Sequence, residues 1–322
     1  MLLDGLSFDL LLSIALIALA TAALRARDLF KSIVIFMLFG LLVAIAWVRV
    51  HAPDLALAEA AIGSGITGAL FLGALNRIER KRKGAASGRL ENPVNGSTSG
   101  AWAVLLTLVL TGLLAMAVLS GWSYSGGLAD EALSRIDESG VVNPVTAVIL
   151  NFRAYDTLLE IGVLLLAVLG VYAVCEGQTM RDLRRRDRSK VLETFVHLLS
   201  PMVVLTAGYL VWVGYKEPGG AFQAGALLGG AGVVLLLSGR ELPLHTARTV
   251  VRIILGGGFL VFLLAGLLVM KDRAFLEYPR ASAKHIILII ELACTVSIGA
   301  ILTVLFSGCA NLLAAPSEEE GP

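Results

Sequence analysis

Long apolar stretches alternate with short polar segments along the whole chain. A helix needs about 20 residues to cross the hydrocarbon core of a bilayer, whereas a barrel strand needs only about 9–11. Nine stretches have the helical length, at about 6–24, 31–50, 53–75, 101–121, 157–175, 195–214, 220–238, 250–270 and 286–311. The pattern therefore predicts an all-α polytopic membrane protein with about nine transmembrane helices.

The composition supports this prediction and excludes several other classes of protein. Hydrophobic residues make up 57% of the 322 residues and charged residues 16%, whereas soluble proteins carry about 25% charged residues. A soluble enzyme, a disordered chain and a secreted disulfide scaffold are excluded. The net charge of +1 gives no reason to expect nucleic acid as a partner. Three cysteines without a CxxC pair predict no metal site, and we expect no cofactor and no catalytic residue.

The distribution of basic residues predicts the orientation in the membrane. Sorting the Lys and Arg residues by loop places 18 on one side and 8 on the other. Because basic loops stay in the cytoplasm, the N-terminus is predicted outside and the acidic tail 317–320 inside, in the cytoplasmic (inner) membrane of the cell. The basic runs 77–83 and 184–190 are interpreted as topology anchors, with binding of anionic lipid as the alternative.

Two polar segments divide the spans into modules of three, two and four helices. Residues 84–99 have the composition of a linker, and residues 181–190 form a charged hinge. The predicted modules are residues 1–83, 100–180 and 181–322. They show no internal repeat, so a transporter built from inverted repeats is not favoured.

Charged residues within spans are costly and usually functional, and the first is Glu59 in the third span. Pro53 and Asp54 mark the start of that helix. Glu59 lies six residues after Pro53, and its neighbours on the helix carry no charge. Glycines at 63, 65 and 68 follow, and they allow either the close approach of another helix or a π-bulge. Glu59 is a candidate for holding and releasing a proton.

A second candidate lies in the stretch NPVTAVILNFRAYDTLLE, residues 143–160, where Pro144 is predicted to start a helix. Arg153, Asp156 and Glu160 are spaced i, i+3 and i+7, so they should share one helical face, with Arg153 able to pair with Asp156. We interpret Asp156 and Glu160 as relay residues and Arg153 as their counter-charge. An anchor in the headgroup region is the alternative interpretation.

The third candidate is the connection YKEPGGAFQAG, residues 215–225, between two spans. Pro218, Gly219 and Gly220 predict a tight turn, and Gly225 with Gly229 forms a GxxxG packing pair. A structural turn is one interpretation. In the other, Lys216 and Glu217 line an ion entrance.

The fourth candidate is Glu291 in the last span, where the neighbouring helical positions offer no charge to compensate the carboxylate. Glu291 is predicted to relay protons or ions. By contrast, no lysine lies in the middle of any span, so the buried lysine used by antiporter-like proton channels is missing.

Three segments resemble known families. Residues 28–75, with the core APDLALAEAAIGSG, resemble the hydrogenase-type MbhD domain, which also occurs in the large subunit of Mrp antiporters. Residues 143–165, NPVTAVILNFRAYDTLLEIGVLL, resemble the adjoining MbhE domain. Residues 193–311, with YKEPGGAFQAG, resemble the MnhB/MrpB subunit of multisubunit sodium/proton antiporters.

The resemblance implies an integral membrane subunit of a multisubunit Na⁺/H⁺ antiporter of the Mrp type. It implies other Mrp-type subunits, H⁺, Na⁺ and membrane lipid as partners. It also implies a π-bulged third helix and roles in a central hydrophilic axis for Glu59, Asp156 and Glu160. Two alternatives remain open, namely the membrane arm of a redox-driven pump, such as a membrane-bound hydrogenase or a complex I-like enzyme, and a non-conducting scaffold subunit.

Overall fold

The computed structural model describes residues 2–85, 97–121, 127–174, 190–238, 248–271 and 273–307, and these ranges contain helices and no strand. This confirms the all-α prediction. The α-helices are α1 Leu2–Arg25, α2 Leu29–Arg49, α3 Pro53–Ala58, α4 Thr67–Ala85, α5 Ser97–Gly121, α6 Ala129–Ser134, α7 Ile136–Ser139, α8 Pro144–Ala147, α9 Ala154–Val174, α10 Lys190–Val213, α11 Ala221–Leu237, α12 Arg248–Val269 and α13 Ala283–Ser307. Two π-helices, Glu59–Ile66 and Val148–Phe152, follow α3 and α8.

The apolar helices agree with the nine predicted spans. Among the described residues, seven helical runs are long and apolar enough to cross a membrane, and two shorter apolar helices cover Val104–Ser120 and Ala221–Leu237. A helix satisfies all of its own backbone hydrogen bonds, which a bilayer demands. The chain is therefore a multi-pass membrane protein.

Several predicted features lie outside the described residues. These are the linker residues 86–96, the hinge residues 181–189, the end of the last predicted span at 308–311, the tail at 317–320, and two cysteines, Cys175 and Cys309.

The chain forms two compact units. One comprises residues 1–75 and 136–322, and the other comprises residues 76–135. The smaller unit contains α5, whose side chains from Val104 to Ser120 are exposed, and α6, which begins with the acidic residues Asp130 and Glu131 in its first turn. All of the sites described below lie in the larger unit.

Helix α13 is the centre of the larger unit and packs against α9, α10, α11 and α12. Ile287, Ile290 and Ile298 of α13 are almost fully buried, as is Phe262 of α12. Ser297 donates a hydrogen bond of 2.6 Å to the carbonyl of Leu255, which ties α13 to α12. Polar side chains on the buried face of α13 are therefore held inside the bundle rather than exposed to lipid.

Glycines bring α11 close to α13. A Cβ atom at Gly225 would lie 2.7 Å from Ile298 Cβ, and one at Gly229 would lie 2.9 Å from Leu302 Cβ. The prediction that Gly225 and Gly229 form a packing pair is confirmed, because membrane helices approach closely where small residues face the partner.

The first π-helix confirms the predicted π-bulge in the third span. It starts at Glu59. A side chain supports its wide turns, since Thr67 Oγ1 donates a hydrogen bond of 2.8 Å to the carbonyl of Ile62, five residues earlier. Gly40 of α2 lies against this segment, and a Cβ atom there would lie 3.2 Å from Ser64 Oγ.

The second π-helix corrects one expectation. The sequence predicts one helix from Pro144 through Glu160. The helix does start at Pro144, where the Asn143 side chain caps it, but it ends at Phe152. Arg153 has φ −128°, outside the helical range, and α9 starts at Ala154. The i, i+3, i+7 spacing therefore does not describe three positions on one helix, because the chain is interrupted at Arg153.

Candidate functional site

A buried acid binds the glycine turn that joins α10 to α11. The Gly219 amide donates a hydrogen bond of 2.9 Å to Asp54 Oδ1, although 165 positions separate the two residues. The side chain of Gln223 donates to the Asp54 carbonyl at 3.2 Å. Asp54 is 7% exposed. The start of the third span is thereby attached to the start of α11.

A second acid, Glu291 of α13, meets the same turn from the other side. Its carboxylate lies against the backbone of Gly220, next to the amide of Ala221, the first residue of α11, and it interacts electrostatically with Asp54. Glu291 is 2% exposed. A helix N-terminus carries a partial positive charge that stabilises a nearby anion. This offsets part of the cost of burying a carboxylate away from water.

Gly220 creates the space that Glu291 occupies. It has φ +117° and ψ −171°, a conformation adopted almost only by glycine. A Cβ atom at this position would lie 2.8 Å from Glu291 Oε1. Both the backbone conformation and the contact with the carboxylate therefore require glycine here.

A third segment, residues 142–146, also binds the turn. Asn143 Nδ2 donates to the Glu217 carbonyl at 2.9 Å, and Thr146 Oγ1 donates to the Gly214 carbonyl at 2.7 Å. The amides of Val142 and Asn143 both donate to the Tyr215 carbonyl at 2.9 Å. The turn is thus fixed by three separate parts of the chain, and the two acids keep defined positions.

The turn lies below the level at which α13 begins. Glu291 comes eight residues after Ala283, which corresponds to a depth of about 12 Å at 1.5 Å per residue. Because Glu291 contacts Gly220 and Ala221, α11 begins at roughly this depth.

One end of the bundle is called the loop end. The segments 50–52, 140–143, 214–220 and 270–282 lie there.

A small cavity of about 50 Å³ borders Glu291. Its lining includes Thr157, Gly220, Gln223 and Cys294. A water molecule needs about 10–15 Å³ of such space together with polar partners. The cavity has room for a few waters next to the carboxylate. Among the described residues, no group of three or more His, Cys, Asp or Glu side chains is arranged to hold a metal ion.

Glu59 lies outside this cluster, although it follows Asp54 by only five residues. Its carboxylate is half-buried and packs against Gly63 of its own helix and Gly40 of α2. Within the described part of the chain, its side chain has no hydrogen-bond or ion-pair partner.

The candidates on α9 are exposed rather than enclosed. Arg153 and Asp156 form an ion pair of 2.5 Å, with side chains 70% and 56% exposed. Glu160 is also exposed and is separate from Glu291. The structure therefore brings together Asp54, Glu291 and the Pro218–Gly219–Gly220 turn, whereas Glu59 and the Arg153, Asp156 and Glu160 group lie apart.

Lys216 and Glu217 are exposed at the loop end. The Lys216 ammonium lies 5.5 Å from the centre of the Tyr215 ring, and the Lys284 ammonium lies 3.9 Å from it. Both distances fit cation–π contacts. Two lysine ammonium groups therefore flank the Tyr215 ring at the loop end.

Sequence reasoning missed Asn143, Thr146, Gln223 and Lys284 as parts of this site. Gln223 lies within the YKEPGGAFQAG motif, so the motif itself was a usable signal. Asn143 and Thr146 are about 70 residues from the carbonyls that they contact, and no local pattern connects them.

Comparison with known proteins identifies two family-related regions. Residues 14–80 match the MbhD family model, which describes one of the MBH subunits, and residues 191–309 match a domain related to the MnhB subunit of Na⁺/H⁺ antiporters. Asp54 and Glu59 fall in the first region, and the glycine turn and Glu291 fall in the second.

Relatives among characterised proteins are subunits of antiporters. The chain is 29% identical over 178 residues to a Na⁺/H⁺ antiporter subunit of Staphylococcus saprophyticus, covering 54% of this chain and 21% of the relative. It is 28% identical over 175 residues to a Na⁺/H⁺ antiporter subunit of Bacillus subtilis, with the same two coverages. The chain thus spans about a fifth of the length of these relatives.

A solved structure has a similar fold. One polypeptide of the Mrp complex from Dietzia sp. DQ12-45-1b superimposes with a TM-score of 0.72 at 21% sequence identity. The match covers 97% of this chain and 35% of that polypeptide. The likeness extends over nearly the whole of the present fold.

Proposed function

We propose that this chain, which joins an MbhD-family region to an MnhB-related region, is an integral membrane subunit of a multisubunit antiporter that exchanges protons for a cation, Na⁺ in the first instance. It is a transporter subunit rather than an enzyme. Its partners are other Mrp-type subunits, and its mobile substrates are H⁺ and Na⁺. It resides in the cytoplasmic membrane with the loop end outside, in line with the bias of 18 basic residues to 8.

The observation that carries the proposal is the pair Asp54 and Glu291 on either side of the glycine turn. Two buried carboxylates that interact electrostatically cannot both remain charged without cost, so a proton or a cation at one of them relieves the repulsion. Glu291 lies against the start of α11 and borders a cavity with room for a few waters. Glu291 is therefore placed to take up and release a proton.

The other acids extend this relay within the assembly. Glu59, without a partner among the described residues, holds a proton in the third span next to the π-helix. Asp156 and Glu160, with Arg153 as counter-charge, carry protons toward a neighbouring subunit, while Lys216 and Glu217 line the approach at the loop end. We propose the module boundaries 1–83, 84–99, 100–180 and 181–322 for this division of roles.

The test replaces Glu291 in the intact complex. Glu291→Gln keeps the size and polarity of the side chain but removes proton exchange, so sodium-dependent dissipation of a pH gradient in vesicles should fall by about tenfold or more. The matched control is Glu138→Gln, the same substitution at an exposed position of the larger unit. Wild-type transport in Glu291→Gln would remove this residue from the relay.

Two other functions remain as outcomes of such tests. The close glycine packing of α11 on α13 favours a scaffold subunit, and the match to the MbhD family favours the membrane arm of a redox-driven pump. Full transport in both Glu291→Gln and Glu59→Gln would support the scaffold. Copurification with a hydrogenase-like subunit would support the redox-driven pump.

A further inference from the structure

Two hydroxyl groups among the described residues are buried without a hydrogen-bond partner, those of Tyr172 and Tyr278. Tyr278 lies in the connection between α12 and α13, at the loop end, and is 3% exposed. A buried hydroxyl without a partner costs free energy, and native proteins normally satisfy such a group with an internal water. The orphan hydroxyl of Tyr278 therefore marks a place where water is expected inside the bundle.

The surroundings of Tyr278 lead toward Glu291. Tyr278 and Cys294 belong to the same cluster of packed core side chains, together with Ile287 and Ile290. Cys294 is one of the residues that line the 50 Å³ cavity bordered by Glu291. The packed cluster that contains Tyr278 therefore extends to the cavity next to Glu291.

The backbone on either side of Tyr278 reaches solvent. Glu277 and Arg280 are exposed at the loop end, whereas the ring of Tyr278 belongs to the core cluster that includes Ile287 and Cys294. One side chain thus reaches from the surface connection into the packed core. A phenol hydroxyl both donates and accepts hydrogen bonds, so it can join two waters that do not touch each other.

We propose that Tyr278 is the loop-end member of a water-bridged proton path to Glu291. This path rests on the proposed function of Glu291 as a relay. In each transfer the hydroxyl oxygen accepts a proton from one water while its own proton passes to the next water, so that the tyrosine ends unchanged. Burial raises the pKa of Tyr278 above its usual range, so the hydroxyl retains the proton that it must donate.

The first experiment uses Tyr172 as a matched control. Tyr278→Phe and Tyr172→Phe each remove one buried, unpartnered hydroxyl and keep the ring, but Tyr172 lies in α9, near Arg252 and away from the cavity. Transport is measured in vesicles holding the intact complex, in H₂O and in D₂O. Tyr278→Phe should lower the rate by about tenfold and increase the solvent isotope effect, whereas Tyr172→Phe should change neither. Equal, wild-type behaviour of the two variants would overturn the path.

The second experiment detects water directly and does not depend on activity. Cys294 is the target for a silver ion applied from the loop end, after Cys175→Ser and Cys309→Ser have removed the other cysteines. Rapid modification of Cys294 is expected if water connects it to that end, and an unreactive Cys294 would overturn the proposal even if Tyr278→Phe fails to assemble.

Parallel measurement of Glu291→Gln separates the proton path through Tyr278 from the relay role of Glu291. Loss of transport in Glu291→Gln with wild-type transport in Tyr278→Phe would reject the path and leave the relay intact. Full transport in Glu291→Gln would reject both.

Discussion

Glu291 and Glu160 are glutamates on adjacent helices, α13 and α9, but their surroundings are opposite. Glu291 is 2% exposed and is held by a helix N-terminus together with a second acid. Glu160 is exposed on a membrane-spanning helix and has no partner among the described residues. One acid is enclosed by its own chain, whereas the other faces outward.

This difference distinguishes a site whose geometry is fixed by this chain alone from a residue whose surroundings depend on the assembly. A charged group exposed to lipid costs about 2.5–3.5 kcal/mol or more at the centre of a span and less toward its ends, and Glu160 is the seventh of the 21 residues of α9. Glu160 therefore requires either water or a neighbouring protein at its surface. The enclosed site needs neither for its geometry, because three segments of the same chain fix the glycine turn.

The largest effect is expected from breaking the enclosure at Gly220. Gly220→Ala forces an alanine into a glycine-only conformation, at a cost of roughly 1–3 kcal/mol, and it displaces the Glu291 carboxylate. We expect a lower melting temperature of the purified complex and loss of transport. Gly256→Ala is the control, because a Cβ atom there meets nothing within 4 Å. Equal melting temperatures of Gly220→Ala and Gly256→Ala would show that the turn does not hold the site in one fixed geometry.

A smaller effect is expected at Asp54, where two substitutions separate hydrogen bonding from charge. Asp54→Leu leaves the buried Gly219 amide without an acceptor, which costs about 1–3 kcal/mol. Asp54→Asn keeps an acceptor oxygen and should remain near wild-type stability, but it can no longer exchange a proton. Thermal unfolding together with vesicle transport distinguishes the two effects, and equal stability of both variants would contradict this account.

At Glu160 the comparison predicts an effect on assembly rather than on stability. Glu160→Gln should change the stability of the isolated chain by less than about 0.5 kcal/mol, as is usual for exposed positions. Retention of the chain by copurifying subunits, or the transport rate of the complex, should decrease. A variant that loses stability as an isolated chain would place Glu160 with the enclosed acids.

The smallest effect is expected from the Arg153–Asp156 ion pair. Its side chains are mostly exposed, and such pairs contribute about 0–1 kcal/mol. A double-mutant cycle of Arg153→Gln and Asp156→Asn should therefore give a coupling below about 1 kcal/mol. A larger coupling in the intact complex than in the isolated chain would show that a partner covers the pair.

Hydrophobic length and local signals in the sequence predict the helices well. Pro53 and Pro144 both start helices as expected, and the glycines after Glu59 coincide with a π-helix. The break at Arg153 was missed, because apolar spacing does not show where backbone hydrogen bonds change from the α to the π pattern. Because of this break, Arg153 lies outside α9, whereas Asp156 and Glu160 lie four residues apart on α9 and the predicted pair of Arg153 with Asp156 is present.

The assembly of the enclosed site was not predictable in the same way. Asp54 was assigned to the start of a helix and Glu291 to an isolated relay, whereas each contacts the glycine turn. These contacts join residues 165 and about 70 positions apart, and one sequence carries no signal for such pairing. The sequence identifies both acids because a charge within a membrane span is costly. Their shared contact with the glycine turn is seen only in the structure.

The recessed start of α11 has an electrical consequence. With 17 residues α11 is about 26 Å long, whereas α13 with 25 residues is about 38 Å long and a typical hydrocarbon core is about 30 Å thick. Where water reaches the turn from the loop end, the membrane voltage falls across a thinner insulating layer, and the local field along α11 is steeper than elsewhere in the bilayer. A full charge that crosses the whole membrane gains about 2.3 kcal/mol per 100 mV, so occupancy of Glu291 should respond to membrane potential as well as to proton concentration.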